Sequence, residues 1–270
     1  MRKLLTALVV VLTVVPTVAA AQPDASRPVR PVTVMTYNIH HGVGIDGVLD
    51  LERIAQLIEQ SGADVIGLQE VDRHWAARSN WEDQAAWFGN RLKLHVAFAA
   101  NLDLPPVNPG EPRRQYGTLM LSKYPIKHFT NTLLPLYPTG EQRGLAVARV
   151  KVRGASLRFA NTHLTSNNHA ERLEQAQKVV ELLGTSKTPT LLVGDLNAIP
   201  TAPEIKTLTA VLHDTWTEVG VGPGYTSGAA DPTKRIDFQL HSAGLKPLQA
   251  NVPVTPASDH LPVVASFELR

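Results

Sequence analysis

Short apolar runs, each closed by a polar residue, set the rhythm of this chain. The run 32–37 ends at Asn38, and 64–69 leads to Glu70. The run 156–161 closes on Asn161-Thr162-His163, and 190–193 on Gly194-Asp195-Leu196-Asn197. Such runs read as strands that deliver a side chain to one edge of an α/β sheet, where sites are usually built. Ser258-Asp259-His260 stands just before the last run, 263–269, and Asp237 sits between these groups. Further strands are predicted over 94–100, 117–122, 126–134, 144–152, 236–240 and 245–252, with Gly154 turning the chain before 156.

Spacing of 3.6 residues predicts the helices. Asp50 caps one running to about residue 60, with Leu51, Ile54, Leu57 and Ile58 on one face and Gly62 ending it. A second is expected over 80–92, where Trp81, Ala85, Phe88 and Leu92 align. The strongest pattern covers 169–183, and Pro203 opens a short helix. Residues 39–50 and 220–232 read as glycine-rich loops, and 101–115 as a long proline-bearing loop. Both halves of the chain mix strands with covering helices, which predicts two packed sheets rather than one doubly wound sheet.

The first residues change the compartment. Met1-Arg2-Lys3, an apolar run from Leu4 to Val15, Pro16 and Ala19-Ala20-Ala21 have the layout of a secretory signal peptide. The run falls short of the about 20 residues a bilayer span requires. We therefore expect a signal peptide over 1–21, a flexible leader over 22–31 and one domain over 32–270, in a secreted or periplasmic protein. Cleavage after Ala21 removes two basic residues and no acid, leaving 24 Lys plus Arg against 24 Asp plus Glu. A neutral chain lacks the basic excess of a polyanion binder, although Arg113, Arg114 and Lys123 offer a local patch. With no cysteine in the sequence, any metal site has only oxygen and imidazole ligands to draw on.

Glu70, Asp195, Asp237 and Asp259 are four acids at or near predicted strand ends. Two like charges roughly 4 Å apart repel by about 4 kcal/mol at an effective dielectric of about 20, so converging acids require a cation or a base. Hard oxygen ligands favour Mg²⁺, with Mn²⁺ or Ca²⁺ as alternatives. His260 follows Asp259 and shares its region with Asp237. A carboxylate on one ring nitrogen fixes the tautomer and raises the imidazole pKa. Asn38, Asn161 and Asn197 are neutral groups suited to orienting water or meeting charge on a pentacovalent phosphorus. Arg143 precedes a strand and is placed to steer a phosphate, whereas Arg235 reads as a salt-bridge partner. His40 and His41 are open between substrate contact and loop structure. Neither a nucleophile elbow nor a Walker A loop is present.

The motifs MTYNIHHG, LQEVD, YGTLMLSKYPI, QRG, NTHL, GDLNAIP, RIDF and SDHLPV occur in this order along the chain. Together they resemble the endonuclease/exonuclease/phosphatase superfamily, which includes deoxyribonuclease I, inositol polyphosphate 5-phosphatases and neutral sphingomyelinases. The resemblance implies a four-layer α/β sandwich, two mixed sheets flanked by helices, and metal-dependent phosphoester hydrolysis. It implies Glu70 as the main metal ligand, supported by Asn38 and Asp259, and Asp195 as the residue that aligns or deprotonates water. Asn197 is expected to steady the transition state, with an Asp237–His260 dyad and His163 as a second imidazole. Asn161, Arg143 and His41 are expected at the substrate. The first reading is a phosphoesterase for a small or lipid-derived phosphoester, with no stable protein partner. A secreted nuclease acting on nucleic acid is the alternative, and a non-catalytic binding module is the third.

Overall fold

The computed structural model describes residues 31–269. The expected signal peptide and all but the last residue of the leader lie outside the described residues. Two six-stranded mixed sheets stack face to face, and helices cover their outer faces. The first sheet contains β1 (Val32–Asn38), β2 (Val65–Arg73), β3 (His95–Leu104), β4 (Arg114–Ser122), β11 (Leu245–Asn251) and β12 (Val263–Leu269). Its order is β11-β12-β1-β2-β4-β3, with β1 parallel to β2. The second contains β5 (Ile126–Leu133), β6 (Gly144–Val152), β7 (Ala155–His163), β8 (Thr190–Asp195), β9 (His213–Asp214) and β10 (Asp237–His241). Its order is β5-β6-β7-β8-β10-β9, with β7 parallel to β8.

The central core lies between the sheets. Val34, Val65 and Met120 of the first meet Ala148, Phe159 and Val193 of the second. Burial on this scale is the main stabilising contribution to such a domain. The approach is tight at Gly67, where an added Cβ would lie 2.6 Å from Val193 Cγ2. Outside the first sheet pack α1 (Leu51–Ser61) and α2 (Gln84–Leu92). Outside the second lie α3 (His169–Leu183) and α4 (Pro203–Thr209), while α5 (Thr215–Val219) follows β9. Asp50 caps α1 by accepting from Glu52 and Arg53 N–H, and Asn168 caps α3 by accepting from Ala170 and Glu171 N–H. Each such cap contributes about 1 kcal/mol.

Four local expectations are corrected. The second strand does not stop at Gln69; it continues to Arg73 through a bulge between Leu68 and Val71, with Glu70 at φ 59. Helix α2 starts at Gln84 rather than residue 80, because Asn80 and Trp81 are left-handed and Asp83 supplies the cap. The expected loop 101–115 is largely a hairpin: β3 runs to Leu104 and pairs with β4 from Arg114. The apolar pattern breaks there because this end of the pair leaves the core. Two short elements, β9 and α5, were not expected from the pattern; neither is long enough to show a period.

Candidate active site

Parallel pairing puts the C-terminal ends of β1, β2, β7 and β8 at one end of the sandwich, and antiparallel β10 starts there. Asn38, Glu70, His163, Asp195 and Asp237 arrive by these strands. The segment before β12 brings Ser258, Asp259 and His260 against them. Ser258 Oγ donates to Asn38 O at 2.8 Å and accepts from His260 N–H at 3.2 Å, fastening this segment to β1.

At the centre, His260 Nδ1 lies 2.8 Å from Asp237 Oδ2, and His260 Nε2 lies 3.8 Å from Asp195 Oδ2. Burial alone would lower the His260 pKa. Asp237, Asp195 and Asp259 outweigh it and raise the value to about 10, so the ring is cationic at neutral pH. Asp195 is fully buried, and burial followed by Asp237 pushes its pKa up to about 7, against the opposing pull of His260. Asn38 Nδ2 donates to Asp195 Oδ2 and to Glu70 Oε1, both at 3.0 Å, while Asn197 N–H donates to Asp195 Oδ1 at 2.9 Å. Thr226 Oγ1 accepts from Asp237 N–H at 3.2 Å and holds the start of β10.

The second imidazole has a different environment. Arg143 Nη1 donates to His163 Nδ1 at 3.0 Å. A guanidinium has no acceptor, so Nδ1 accepts and the hydrogen of the neutral ring sits on Nε2. That nitrogen faces Asp195 Oδ2 at 3.4 Å, and Asn197 Nδ2, 3.0 Å away, donates to Leu164 O at 2.9 Å. Burial, then Arg143 and His260, keep the His163 pKa well below the usual histidine range. The two histidines therefore differ in kind: His260 is a held cation and His163 a neutral donor.

Other expected residues take different places. Asn161 does not reach substrate. It is fully buried between the sheets, accepting from Gln69 Nε2 at 2.7 Å and donating to Leu68 O and Leu119 O at 3.1 Å each. Asn38 presents its nitrogen to the acids, and its oxygen accepts from His40 N–H at 3.1 Å. In this orientation the amide aligns both carboxylates. Arg143 is buried behind His163 and pairs with Glu141 Oε1 at 2.9 Å. His41 is buried at φ 45, its pKa lowered to about 4 by burial and then by Arg78 and His40. Asp259 stays at the rim with its side chain half exposed, 3.9 Å from His40 Nδ1.

Tyr116 and Arg78 beside Glu70, and Trp75 on Tyr116, were not singled out from the sequence. The Tyr116 phenol is buried and feels the Glu70 charge, which with burial raises its pKa. Trp75 packs on it at 5.7 Å between ring centroids, and Arg78 lies 5.4 Å over the ring while holding both oxygens of buried Asp72. The one available signal was the position of Tyr116 immediately before Gly117 in a quoted motif.

A hard cation suits this donor set. Asp195, Asp237 and His260 crowd within 4.8 Å of one another, and with His260 a cation the oxygens of the carboxylates are the donors open to an ion. Asp237 Oδ1 has no hydrogen-bond partner among the described residues, and Glu70 accepts one bond, from Asn38. Surplus negative charge with unfilled oxygen lone pairs fits a divalent ion bound through oxygen.

The model of the Endonuclease/Exonuclease/phosphatase family matches residues 35–260, from β1 to the catalytic-end His260. The chain belongs to this family. Its members are hydrolases of phosphoester bonds and generally depend on a divalent metal. The uncharacterized protein YbhP of Escherichia coli K12 is 26% identical over 176 residues, 61% of this chain; the match spans 66% of YbhP. The crystal structure of a family protein from Beutenbergia cavernae superposes with a TM-score of 0.77 at 28% identity, covering 89% of this chain and 72% of that one. A mannosyl-6-phosphatase from Bacteroides thetaiotaomicron shares the fold with a TM-score of 0.72 at 20% identity, covering 87% and 99%.

Proposed function

We propose that this chain is an exported, Mg²⁺-dependent phosphoesterase that hydrolyses a small or lipid-derived phosphoester by in-line attack of water. The observation that carries the reading is the Asp237–His260–Asp195 arrangement: an imidazole fixed at 2.8 Å by one buried carboxylate and held 3.8 Å from a second. A positioned carboxylate of this kind can take the proton from an attacking water. Asn38 and Asn197 fix both oxygens of Asp195, so the proton is taken in one geometry. His260 Nε2–H faces the phosphate and offsets its growing charge, while Asp237 holds the ring from behind. His163 adds a neutral Nε2–H donor, and Asn197 a second amide, without adding charge.

Glu70, with Asp259 at the rim, is the carboxylate pair assigned to the metal, and the ion supplies Lewis-acid charge at the phosphate oxygens. Mn²⁺ and Ca²⁺ are the alternatives. The basic, apolar and small-residue order of residues 1–21 supports export.

The test is a substrate panel assayed with Mg²⁺ and with EDTA: bis-p-nitrophenyl phosphate, a sugar phosphate, inositol phosphates, sphingomyelin, RNA and plasmid DNA. Metal-dependent release of phosphate or alcohol from the small or lipid substrates is expected. Cleavage confined to DNA or RNA replaces this reading by a secreted nuclease. Inactivity on every substrate rejects hydrolysis. N-terminal sequencing of the exported protein checks cleavage after Ala21.

A further inference from the structure

One row across the outer face of the second sheet carries like charge. Lys127 of β5 pairs with Arg149 of β6, Arg149 with Arg158 of β7, and Arg158 with Thr190 of β8. Their neighbours Val150, Leu157 and Leu191 point into the core between the sheets, so this row points out. Cations directly opposite one another on adjacent strands repel. Lys127 and Arg149 are exposed, and neither pairs with an acid among the described residues. Two of the three have structural work. Lys127 stands on an edge strand, where a charge blocks pairing with another chain. Arg158 turns to the end of α3, donating to Leu183 O and, at 3.0 Å, to Leu182 O. Arg149, on the inner strand β6, has neither role.

The row runs into a cavity of about 600 Å³, a size within the range of small-molecule sites. Thr190 lines it, and so does Ser242, whose N–H donates to Thr190 O at 2.9 Å. Arg158 is joined to its wall through Leu183 O and again through its own N–H, which donates to Pro189 O at 2.8 Å. Val180, Leu183, Val211 and Leu212 make apolar walls, with Val211 55% exposed. Lys187 is the one charged residue of the lining; it is exposed and has no acid partner among the described residues. Glu181, on the last turn of α3, is taken by Lys178 at 2.7 Å. The cavity stands at the start of β8, five residues or about 16 Å from Asp195 at the strand's other end.

We propose that this cavity is a second site, away from the catalytic end, and that it binds an anionic amphiphile with an alkyl chain. The chain lies against Val180, Leu183, Val211 and Leu212. The negative head is met by Lys187 and by Arg149, which stands two strands, about 10 Å, from Thr190. A hollow with apolar walls and cations alone at its edge draws in a molecule that has both a hydrocarbon part and a negative end. A polynucleotide answers the charge but leaves the apolar walls unfilled. The site stands whether or not the chain hydrolyses a phosphoester.

The probe is dodecanoate, which contains no phosphoester and so reads this site apart from turnover. Titrated by calorimetry below its micelle concentration, it is expected to bind saturably, one per chain. Decanoate, shorter by two methylenes, should bind roughly tenfold more weakly. Lys187→Gln combined with Arg149→Gln should weaken dodecanoate at least about tenfold, and so should Val211→Asp, which sets a like charge beside the chain. All these positions are exposed, so melting temperatures are expected to hold. Binding by Asp195→Asn should equal that of the unaltered protein. Absence of saturable binding, equal binding of dodecyltrimethylammonium, an affinity untouched by both sets of substitutions, or loss of binding in Asp195→Asn overturns the assignment. Sedimentation with phosphatidylglycerol vesicles separates the sources. Capture lost in the same variants makes the ligand a bilayer lipid, and dodecanoate binding without capture makes it a free amphiphile.

Discussion

Two buried ion pairs lie two residues apart in sequence and behave oppositely. Arg235 donates to both oxygens of Asp214, at 3.0 and 2.7 Å, and its guanidinium sits 4.6 Å over the Phe238 ring. Asp214 Oδ1 also accepts from Trp216 N–H at 3.1 Å and caps α5. Charge, hydrogen bonds and packing all close within this pair. Asp237 instead gives one oxygen to His260 and leaves the other without a partner among the described residues, with Asp195 beside them. A closed pair holds the fold together. An open one stores unmet charge that a metal ion, a proton or a phosphate can answer.

The largest expected effect falls on the open cluster. Asp195→Asn keeps the shape and removes the base, so kcat/KM should fall by about 10²–10⁴ in steady-state assays with Mg²⁺, with an unchanged circular dichroism spectrum. A fall of less than threefold would show that Asp195 does not handle the proton. The reverse result is expected of the closed pair: Asp214→Ala leaves a buried Arg235 uncompensated and should cost about 3–5 kcal/mol in urea unfolding. Turnover per folded molecule should change little.

A neutral closed network sharpens the contrast. Asn161→Ala removes the donor to Leu68 O and Leu119 O and one of the acceptors of Gln69 Nε2, and should destabilise by about 2 kcal/mol, again with activity per folded molecule retained. A rise in KM at unchanged stability would restore Asn161 to the substrate.

The smallest and most diagnostic effect is on pH dependence in metal-free protein. His260 has a folded pKa of about 10 against an ordinary 6.5. Its contribution to stability is fully present below pH 6.5 and is lost as pH rises through 10. Asp195 is raised as well, from 3.8 to about 7, so the folded chain holds the proton longer and stability declines between those values. Thermal melts in EDTA should show both windows, and Asp195→Asn should remove the lower one. A rise in stability from pH 4 to 7 that is lost in Asp195→Asn would mean this acid is held as a charged group.

Much of this was readable in the sequence because strand ends and acids coincide. Residues 144–152 and 169–183 are a strand and a helix over those bounds, and Asp237 does meet His260. What was not readable depends on contacts between distant segments. Glu70 sits on a bulge whose left-handed residue is fixed by pairing with β4, not by a local pattern. Asn161 has the same strand-end signature as Asn38, yet the middles of β2 and β4 on the opposite sheet bury it. The neutral state of His163 comes from burial first and then from Arg143, 20 residues earlier, which the pairing of β6 with β7 sets beside it.

Asn38 belongs to the first sheet, yet one amide nitrogen touches Glu70 of its own sheet and Asp195 of the other at equal distance. Half of the machinery is thus mounted on each layer, and no single layer is competent alone. Sliding the layers by a fraction of a bond length separates those two contacts long before the hydrophobic filling between them gives way. On the proposed function, turnover is therefore a finer gauge of layer alignment than any spectroscopic measure of folding, and gentle heating or mild denaturant should abolish it while the strands are still intact.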